Sequence, residues 1–459
     1  MSTGENDLNA AERFQSAARA LVTSTAQTLE ILRVPSAARE ESEIGGRRRG
    51  GLSAPVPETP RSMILVDRGD GALEWRDPPS ISAKVPTPGA PRRSFRDIVE
   101  GVVPLVTIPI EDLPPNKVVE KLASWDQILT PNQGLRILSP SGVLSGISDV
   151  PPVTNNSDGT PGRILLIVHG TFSNSDAIFD QLKQVESNSQ FLVWARGRYQ
   201  HILTFDHPTM SVSPVLNALD LTRYFANVST PVDVICHSRG GLVTRWWLEA
   251  FAGAKVGPRR VVFVAAPLGG TSLASPDRIR KSFDLFTTVG TYLKQAGEIA
   301  SVFTPFATIA VGLMRIFVAV TGAVAYTPLA DLFFSAVPGL GAMSRVGNNT
   351  ELNRLQLPGA LPQLPDYFAV YSDFQMEKAG WKFWKLFQDP GLRAASWGAS
   401  LIFQQANDLV VDNRAAIEVF QGKGISDSRR CVIETNGQIY HTNYFLQTRV
   451  LSAFQQFLS

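Results

Sequence analysis

The chain has 459 residues, 44% of them hydrophobic and 18% charged, with 43 basic against 41 acidic side chains and a formal net charge of +2. That length holds one large α/β core with an accessory region, or two or three small domains, and the apolar content excludes general disorder. The balanced charge, with no basic–aromatic stripe, excludes nucleic acid as the expected partner; the two cysteines, Cys236 and Cys431, exclude a disulfide scaffold and a zinc site of paired ligands.

Residues 10–33 read as a helix, capped near Asp7 or Asn9 and stopped by Pro35. The first residues, with Glu5, Asp7, Glu12 and Arg13, lack a signal-peptide core, so a cytoplasmic protein is expected, with membrane association as a second option. Residues 36–60 read as linker, and Arg47, Arg48 and Arg49 as solvated charge. Met63–Trp75 predicts a hairpin about Arg68–Gly69–Asp70–Gly71, a tight turn rather than an adhesion motif. A Pro/Ser-rich stretch, 76–95, precedes a strand at Val102–Ile110, a helix at Pro115–Leu122 and a strand at Gly134–Leu138. The organisation expected is 1–60 as N-terminal helix and linker, 61–160 as an accessory region of unnamed fold and unknown protein partner, and 161–459 as the main domain.

From Arg163 the character changes. Ile164–Val168 is a continuously apolar, β-branched run suited to a buried parallel strand. A helix near Ser175–Val185, a strand at Phe191–Trp194, a helix at Leu216–Phe225, a strand at Val232–Cys236, a helix at Leu242–Phe251 and a strand at Arg260–Ala265 follow. This alternation predicts an α/β fold, a mostly parallel sheet with helices on both faces. Residues 278–345 form a long apolar block, in which Arg315 is the only charge between Ile299 and Ala330. Its uncharged runs fall short of the ~20 residues that span a bilayer, so a helical cap or an interfacial hairpin is expected. Further on, Tyr367–Tyr371 and Cys431–Glu434 read as strands, and Glu377–Phe387, Ser396–Gln405 and Asn443–Phe457 as helices.

Chemistry concentrates at Cys236–His237–Ser238–Arg239–Gly240–Gly241, between a buried strand and a helix. A sharp strand-to-helix turn lifts the middle side chain out of the backbone, and small residues two before and two after it relieve crowding. The helix start sets N–H groups and its positive dipole end beside a developing oxyanion. A serine N-cap on a dinucleotide-binding helix would share this pattern, but His169–Gly170–Thr171–Phe172 sits where the second half of an oxyanion hole belongs. Thr171 and Arg239 are the expected N–H donors; an ordinary turn with a packed His169 is the alternative. A serine nucleophile needs a base and an orienting acid. Of the five histidines only His441 lies well downstream, and Asp408 in Asn407–Asp408–Leu409–Val410–Val411–Asp412 is the preferred acid, with Asp412 as rival and Asp373 third.

These pieces, with Val264–Ala265–Ala266–Pro267–Leu268–Gly269–Gly270–Thr271, come in the order found in a known group. Residues 163–459 resemble bacterial triacylglycerol-lipase-like proteins and related α/β hydrolases, including those acting on lipid-anchor esters. Asn407–Val411 resembles that group's acid loop, His441 its closing histidine, and Met343–Ser344 to Leu352–Asn353 the stretch after its lid. Cys236 and Leu409 stand where glycines are usual. The resemblance implies a Ser238–Asp408–His441 triad acting on an apolar acyl ester under a lid at 278–345, with peripheral membrane contact there and no metal or organic cofactor. A thioesterase or peptidase on the same triad, or a non-catalytic binding module on the same fold, are the alternatives.

Overall fold

The computed structural model describes residues 12–13, 15–20, 62–67, 73–76, 103–109, 115–184, 186–251, 259–271, 337–344, 349–357, 365–372, 413–420, 423–433 and 444–459. The helices expected at 377–387 and 396–405, the block 278–336 and the linker 36–60 lie outside the described residues.

β1 (Ser62–Asp67), β2 (Leu73–Arg76) and β3 (Val103–Pro109) form an antiparallel sheet in the order β2-β1-β3, with Leu65 paired to Trp75 as the hairpin reading requires. A helix, Pro115–Leu129, leads to β4 (Gly134–Leu138) and β5 (Leu144–Gly146). Then come β6 (Ile164–Val168), β7 (His201–Asp206), β8 (Val232–His237), β9 (Arg260–Val264), β10 (Asp366–Ser372), the small pair β11 (Glu418–Phe420) and β12 (Lys423–Gly424), and β13 (Arg430–Ile433). Eight of these make the central sheet, in the order β13-β10-β9-β8-β6-β7-β4-β5. From β7 to β13 every neighbour is parallel; β4 runs antiparallel to β7, and β5 antiparallel to β4. The sheet therefore begins inside the stretch 61–160 that reads as an accessory region.

Alternation along the central strands splits the core into two layers. Ile164, Leu166, Val168, Val232, Val234, Cys236, Val261 and Phe263 face the helices Pro214–Tyr224 and Gly240–Trp246. Leu165, Ile167, Ile235, Val262 and Val264 face Ser175–Gln184, Glu186–Arg198 and the C-terminal Thr448–Leu458, which sends Val450, Leu451, Phe454, Phe457 and Leu458 into the interior. A sheet covered on both faces requires such uninterrupted apolar strands, and β6 and β8 are buried at every position.

One element differs in type from the sequence reading. Phe191–Trp194 belongs to the helix Glu186–Arg198, and the strand lies at His201–Asp206. Phe191, Leu192, Ala195 and Tyr199 are buried while Val193 is 68% exposed, which is helical spacing. A four-residue apolar run cannot by itself decide between the two periods.

From β6 the chain crosses to β7 on one side, and from β8 to β9 on the other, so the strand order reverses between β6 and β8. In open α/β sheets the crevice outside the carboxyl ends at such a switch point is where ligands bind. At the opposite, amino edge, the buried Asp233 accepts hydrogen bonds from Arg163 (2.6 Å), the Tyr199 hydroxyl (2.9 Å) and the Arg260 N–H (3.2 Å). Burial beside this carboxylate pushes the Tyr199 phenol well above its ordinary range. Among the described residues no helix is long and apolar enough to cross a membrane; the stretch 299–330 is not among them.

Asp233→Ala leaves Arg163 and Tyr199 without their shared acceptor, and breaking such a buried pair costs about 3–5 kcal/mol. A fall of that size in the unfolding free energy from urea titration is expected, with a lower midpoint, and with activity per folded molecule retained because Asp233 is at the far end of β8 from Ser238. An unchanged midpoint would show that this anchor contributes nothing.

Candidate active site

Ser238 follows β8 with φ +51°, and the helix Gly240–Trp246 starts two residues later. Its N–H donates to the Val264 carbonyl at the end of β9 (2.8 Å), and its carbonyl accepts the Gly241 N–H (2.9 Å), so the turn is tied to the sheet and to the helix it starts. Among the described residues, the non-glycine positions with positive φ are Phe172, Ser238 and Ala265, in the turns after β6, β8 and β9. Strained backbone of this kind persists only where surrounding packing over-determines it, and it is concentrated at the switch-point crevice.

The turns after β6 and β8 touch. A Cβ on Gly170 would stand 2.6 Å from the Ser238 Cβ, and a Cβ on Gly240 would stand 2.5 Å from the His169 carbonyl oxygen. Both positions therefore require glycine for close approach. This is the strand–turn–helix geometry of a nucleophile elbow, with Cys236 taking the first small position.

The His169 ring is fully buried and stacks on His207 with centroids 4.1 Å apart. His169 Nε2 accepts the His207 backbone N–H (3.0 Å), which places the proton on Nδ1, where it is donated to the Gly170 carbonyl (2.9 Å). Because the peptide is trans, pinning the Gly170 carbonyl turns the Thr171 N–H the opposite way. Among the described residues, neither the Thr171 N–H nor the Arg239 N–H has a hydrogen-bond acceptor. Behind His169, Asp206 accepts from the Ser175 N–H and hydroxyl (both 2.7 Å) and pairs with Arg136 (2.8 Å). Nothing in the sequence pattern marks Asp206 or Arg136, since the apolar run that reads as a strand is Phe191–Trp194 and not His201–Asp206.

The Arg239 side chain is fully buried and donates to the Val212 carbonyl. Burial lowers its guanidinium to about 10, the carboxylates of Asp126 and Glu351 opposing that shift, so it remains charged at neutral pH. The His237 ring packs 5.9 Å from Phe445 and 6.5 Å from Tyr444, with its Nδ1 beside Gly170.

Asp408, Asp412, His441 and Asp373 lie outside the described residues. The nearest described positions converge on the same edge of the sheet. The Ser372 N–H, at the end of β10, donates to the Tyr444 hydroxyl (3.0 Å), and the Gly269 N–H, beyond β9, donates to the Ala415 carbonyl (2.9 Å). The chain on the two sides of the apolar block also meets: Thr271 bridges Ser344, and the Thr171 hydroxyl contacts the Met343 sulfur at 3.5 Å. Among the described residues no group of three His, Cys, Asp or Glu side chains is placed to hold a metal ion.

Strand order and elbow together define an α/β-hydrolase fold. The chain belongs to the DUF7379 family, a domain of unknown function, whose model matches residues 146–459. A comparison with curated proteins finds no match. Among solved structures the chain is similar to the mature form of the Bacillus licheniformis lipase BlEst2 (16% identity, 67% of this chain and 96% of that one, TM-score 0.30). It is also similar to the esterase RhEst1 from Rhodococcus sp. ECU1013 (16%, 70% and 97%, 0.32) and to lipase 1 from Pelosinus fermentans (13%, 63% and 98%, 0.34). The fold assignment rests on the strand order and the elbow rather than on these likenesses.

Burial holds the His169 ring below its ordinary pKa and the His207 ring well below it, so both fold as neutral imidazoles. An unfolded chain takes up those protons as pH falls through about 6.5, and the folded chain does not. Stability is therefore flat above that pH and falls on acidification, by up to about 1.4 kcal/mol per pH unit for each ring. Thermal melts from pH 7.5 to 5 on the protein and on His207→Phe check this: the variant should show the smaller slope, and equal slopes would rule the ring out as the source. Gly170→Ala is a second test of the site, expected to fold but to lose most reactivity of Ser238 towards a fluorophosphonate.

Proposed function

We propose that the protein is a serine hydrolase of carboxylic esters, lipase- or esterase-like, with Ser238 as nucleophile. The observation that carries this reading is the Ser238 elbow packed against Gly170, with the N–H groups of Thr171 and Arg239 left for a developing oxyanion. In the proposed reaction the Ser238 Oγ attacks the ester carbonyl carbon while His441 takes its proton and Asp408 orients the imidazole. The tetrahedral oxyanion rests on the N–H groups of Thr171 and Arg239. Collapse breaks the bond to the alcohol oxygen, which leaves with the proton from His441. Water then attacks the acyl-enzyme through the same base and releases the acid. His441 is three residues from Tyr444, and Asp412 directly precedes the helix Asn413–Ile417; both of these described elements pack at the carboxyl edge near the elbow.

The apolar block 278–345 supports an acyl ester as substrate. Thr271, which precedes the block, bridges its described end at Ser344, and Met343 contacts Thr171, where a cap over the acyl group would be rooted. Contact of that cap with a lipid surface belongs to the same proposal.

Ser238→Ala should lower turnover of short nitrophenyl esters by at least about 10³-fold while the fold is kept. Asp408→Asn should cost about 10⁴-fold in kcat, by analogy with loss of the orienting carboxylate elsewhere, and Asp412→Asn less than about tenfold. The reverse order would move the acid to Asp412, and full turnover by Ser238→Ala would end the proposal. A panel of oxygen esters, thioesters and anilides of matched acyl length fixes the leaving group.

A further inference from the structure

The helix Pro115–Leu129 precedes the segment matched by the family model, yet its last turn is part of the frame around the elbow. Val118, Leu122, Trp125 and Leu129 form its buried stripe, and Asp126 is buried to 1% exposure with them. One carboxylate oxygen of Asp126 accepts the N–H groups of Thr209 (2.7 Å) and Met210 (3.0 Å). The other accepts the N–H (2.7 Å) and hydroxyl (2.6 Å) of Ser211. Five donors on one carboxylate, the Thr209 hydroxyl at 3.5 Å being the longest, define the shape of residues 209–211, a segment without helix or strand bonds of its own.

Hydrogen bonds lead from this loop to both halves of the candidate oxyanion hole. The Thr209 hydroxyl accepts the N–H of Phe172, the residue after Thr171 (3.3 Å), and the Val212 carbonyl accepts from the Arg239 guanidinium. His207, just before the loop, holds the His169 ring that pins Gly170. A second tether joins the same helix end to the first half: Asn174 donates to the Leu129 carbonyl (2.8 Å) while capping the Ser175–Gln184 helix through the Ala177 N–H (2.9 Å). The loop also reaches the far side of the apolar block, where the Met210 carbonyl accepts the Gly339 N–H (3.0 Å).

We propose that Asp126 is a positioning residue, which sets the Thr171 and Arg239 N–H groups through the 209–212 loop and makes the Pro115–Leu129 helix an integral part of the site. The inference rests on the reading of those two N–H groups as an oxyanion hole. Asp126 itself touches no reacting atom. Displacing catalytic groups by about 1 Å costs on the order of 100-fold in rate, so a loop-shaping carboxylate behind the hole acts on kcat.

The test uses the full chain with Asp126→Asn, which turns one acceptor oxygen into a donor, and Thr209→Val, which removes the hydroxyl that accepts from Phe172 and donates at 3.5 Å to Asp126 but keeps the backbone N–H groups on the carboxylate. The readouts are kcat and KM on a short nitrophenyl ester per fluorophosphonate-titrated site, the urea midpoint, and hydrogen exchange of 169–174 and 207–213. Asp126→Asn should lower kcat about 10- to 100-fold with KM within about twofold, and speed exchange in both segments. Thr209→Val should lower kcat about threefold or more, speed exchange at 169–174 more than at 207–213, and leave the midpoint near that of the parent. A kcat per site unchanged in both variants, with only the midpoint moved, overturns the proposal. If Asp126→Asn does not fold, Thr209→Val decides by itself. If the parent protein neither turns over ester nor takes the label, the hydrolase reading fails; exchange then decides the positioning inference, and unchanged rates at 169–174 in the variants overturn it.

Discussion

The whole arrangement depends on the contact between the turns after β6 and β8. These strands are direct neighbours, with Val168 opposite Cys236, so their turns leave the sheet only one strand spacing apart. Two backbones can pass that closely only if no side chain stands between them, and Gly170 and Gly240 are the positions where a Cβ would meet Ser238 or the His169 carbonyl. Once the contact is made, Ser238, the Gly170–Thr171 peptide and the first turn of the Gly240–Trp246 helix have little freedom left. The positive φ of Ser238 follows from this crowding, and the bond from its N–H to Val264 extends the constraint to β9.

Charge buried around that contact has a consistent sense. Arg136 and Asp206 neutralise each other behind the His169 ring, and Arg239 remains cationic beneath the elbow with Asp126 and Glu351 in its field. Burying such groups is unfavourable unless they are paired and hydrogen-bonded. Here they brace loops that carry no strand or helix bonds, and loops need fixed partners if they are to hold N–H groups in a set direction. The neutral state of His169 belongs to the same design: only a ring protonated on Nδ1 alone can both receive the His207 N–H and grip the Gly170 carbonyl.

Much of this was legible in the residues, and the reason differs from place to place. β6, β8 and β9 are buried on both faces, so their apolar runs announce themselves, and the elbow follows from the strand–serine–glycine order. Gly170 was readable because a glycine after a buried strand marks a close approach. His201–Asp206 was not readable as a strand, because Thr204 and Asp206 are polar groups buried through tertiary partners. With that strand misplaced, Asp206 and His207 had no position near the site. Asp126 was hidden for a further reason: its donors are backbone N–H groups 83 to 85 residues away, and no local pattern encodes such a pairing. Gly134–Leu138 reads as a strand of an accessory region and Leu144–Gly146 does not read as a strand, because the membership of this short antiparallel edge in the large sheet exists only in the pairing with β7.

Cys236 shows how the elbow separates two nucleophilic side chains that are two residues apart. A thiol is the stronger nucleophile at equal access, and it stands where a glycine would relieve the turn. It belongs to the strand proper, however, and its side chain faces the core layer of Val234, Leu242 and Phe263, with the sulfur 3.6 Å from the Val262 carbonyl. Burial there raises the thiol well above its ordinary range, and the thiolate, the reactive form, is suppressed. Ser238 has left the strand, and its positive φ takes its side chain out of the strand alternation, although it too is buried. A hydroxyl can be activated only where a base and oxyanion donors converge, and the turn lies at the carboxyl edge where the described ends of the Asp408 and His441 segments also arrive. The cysteine can thus replace glycine without competing for the chemistry, because it is small enough for the turn and too deeply buried to ionise.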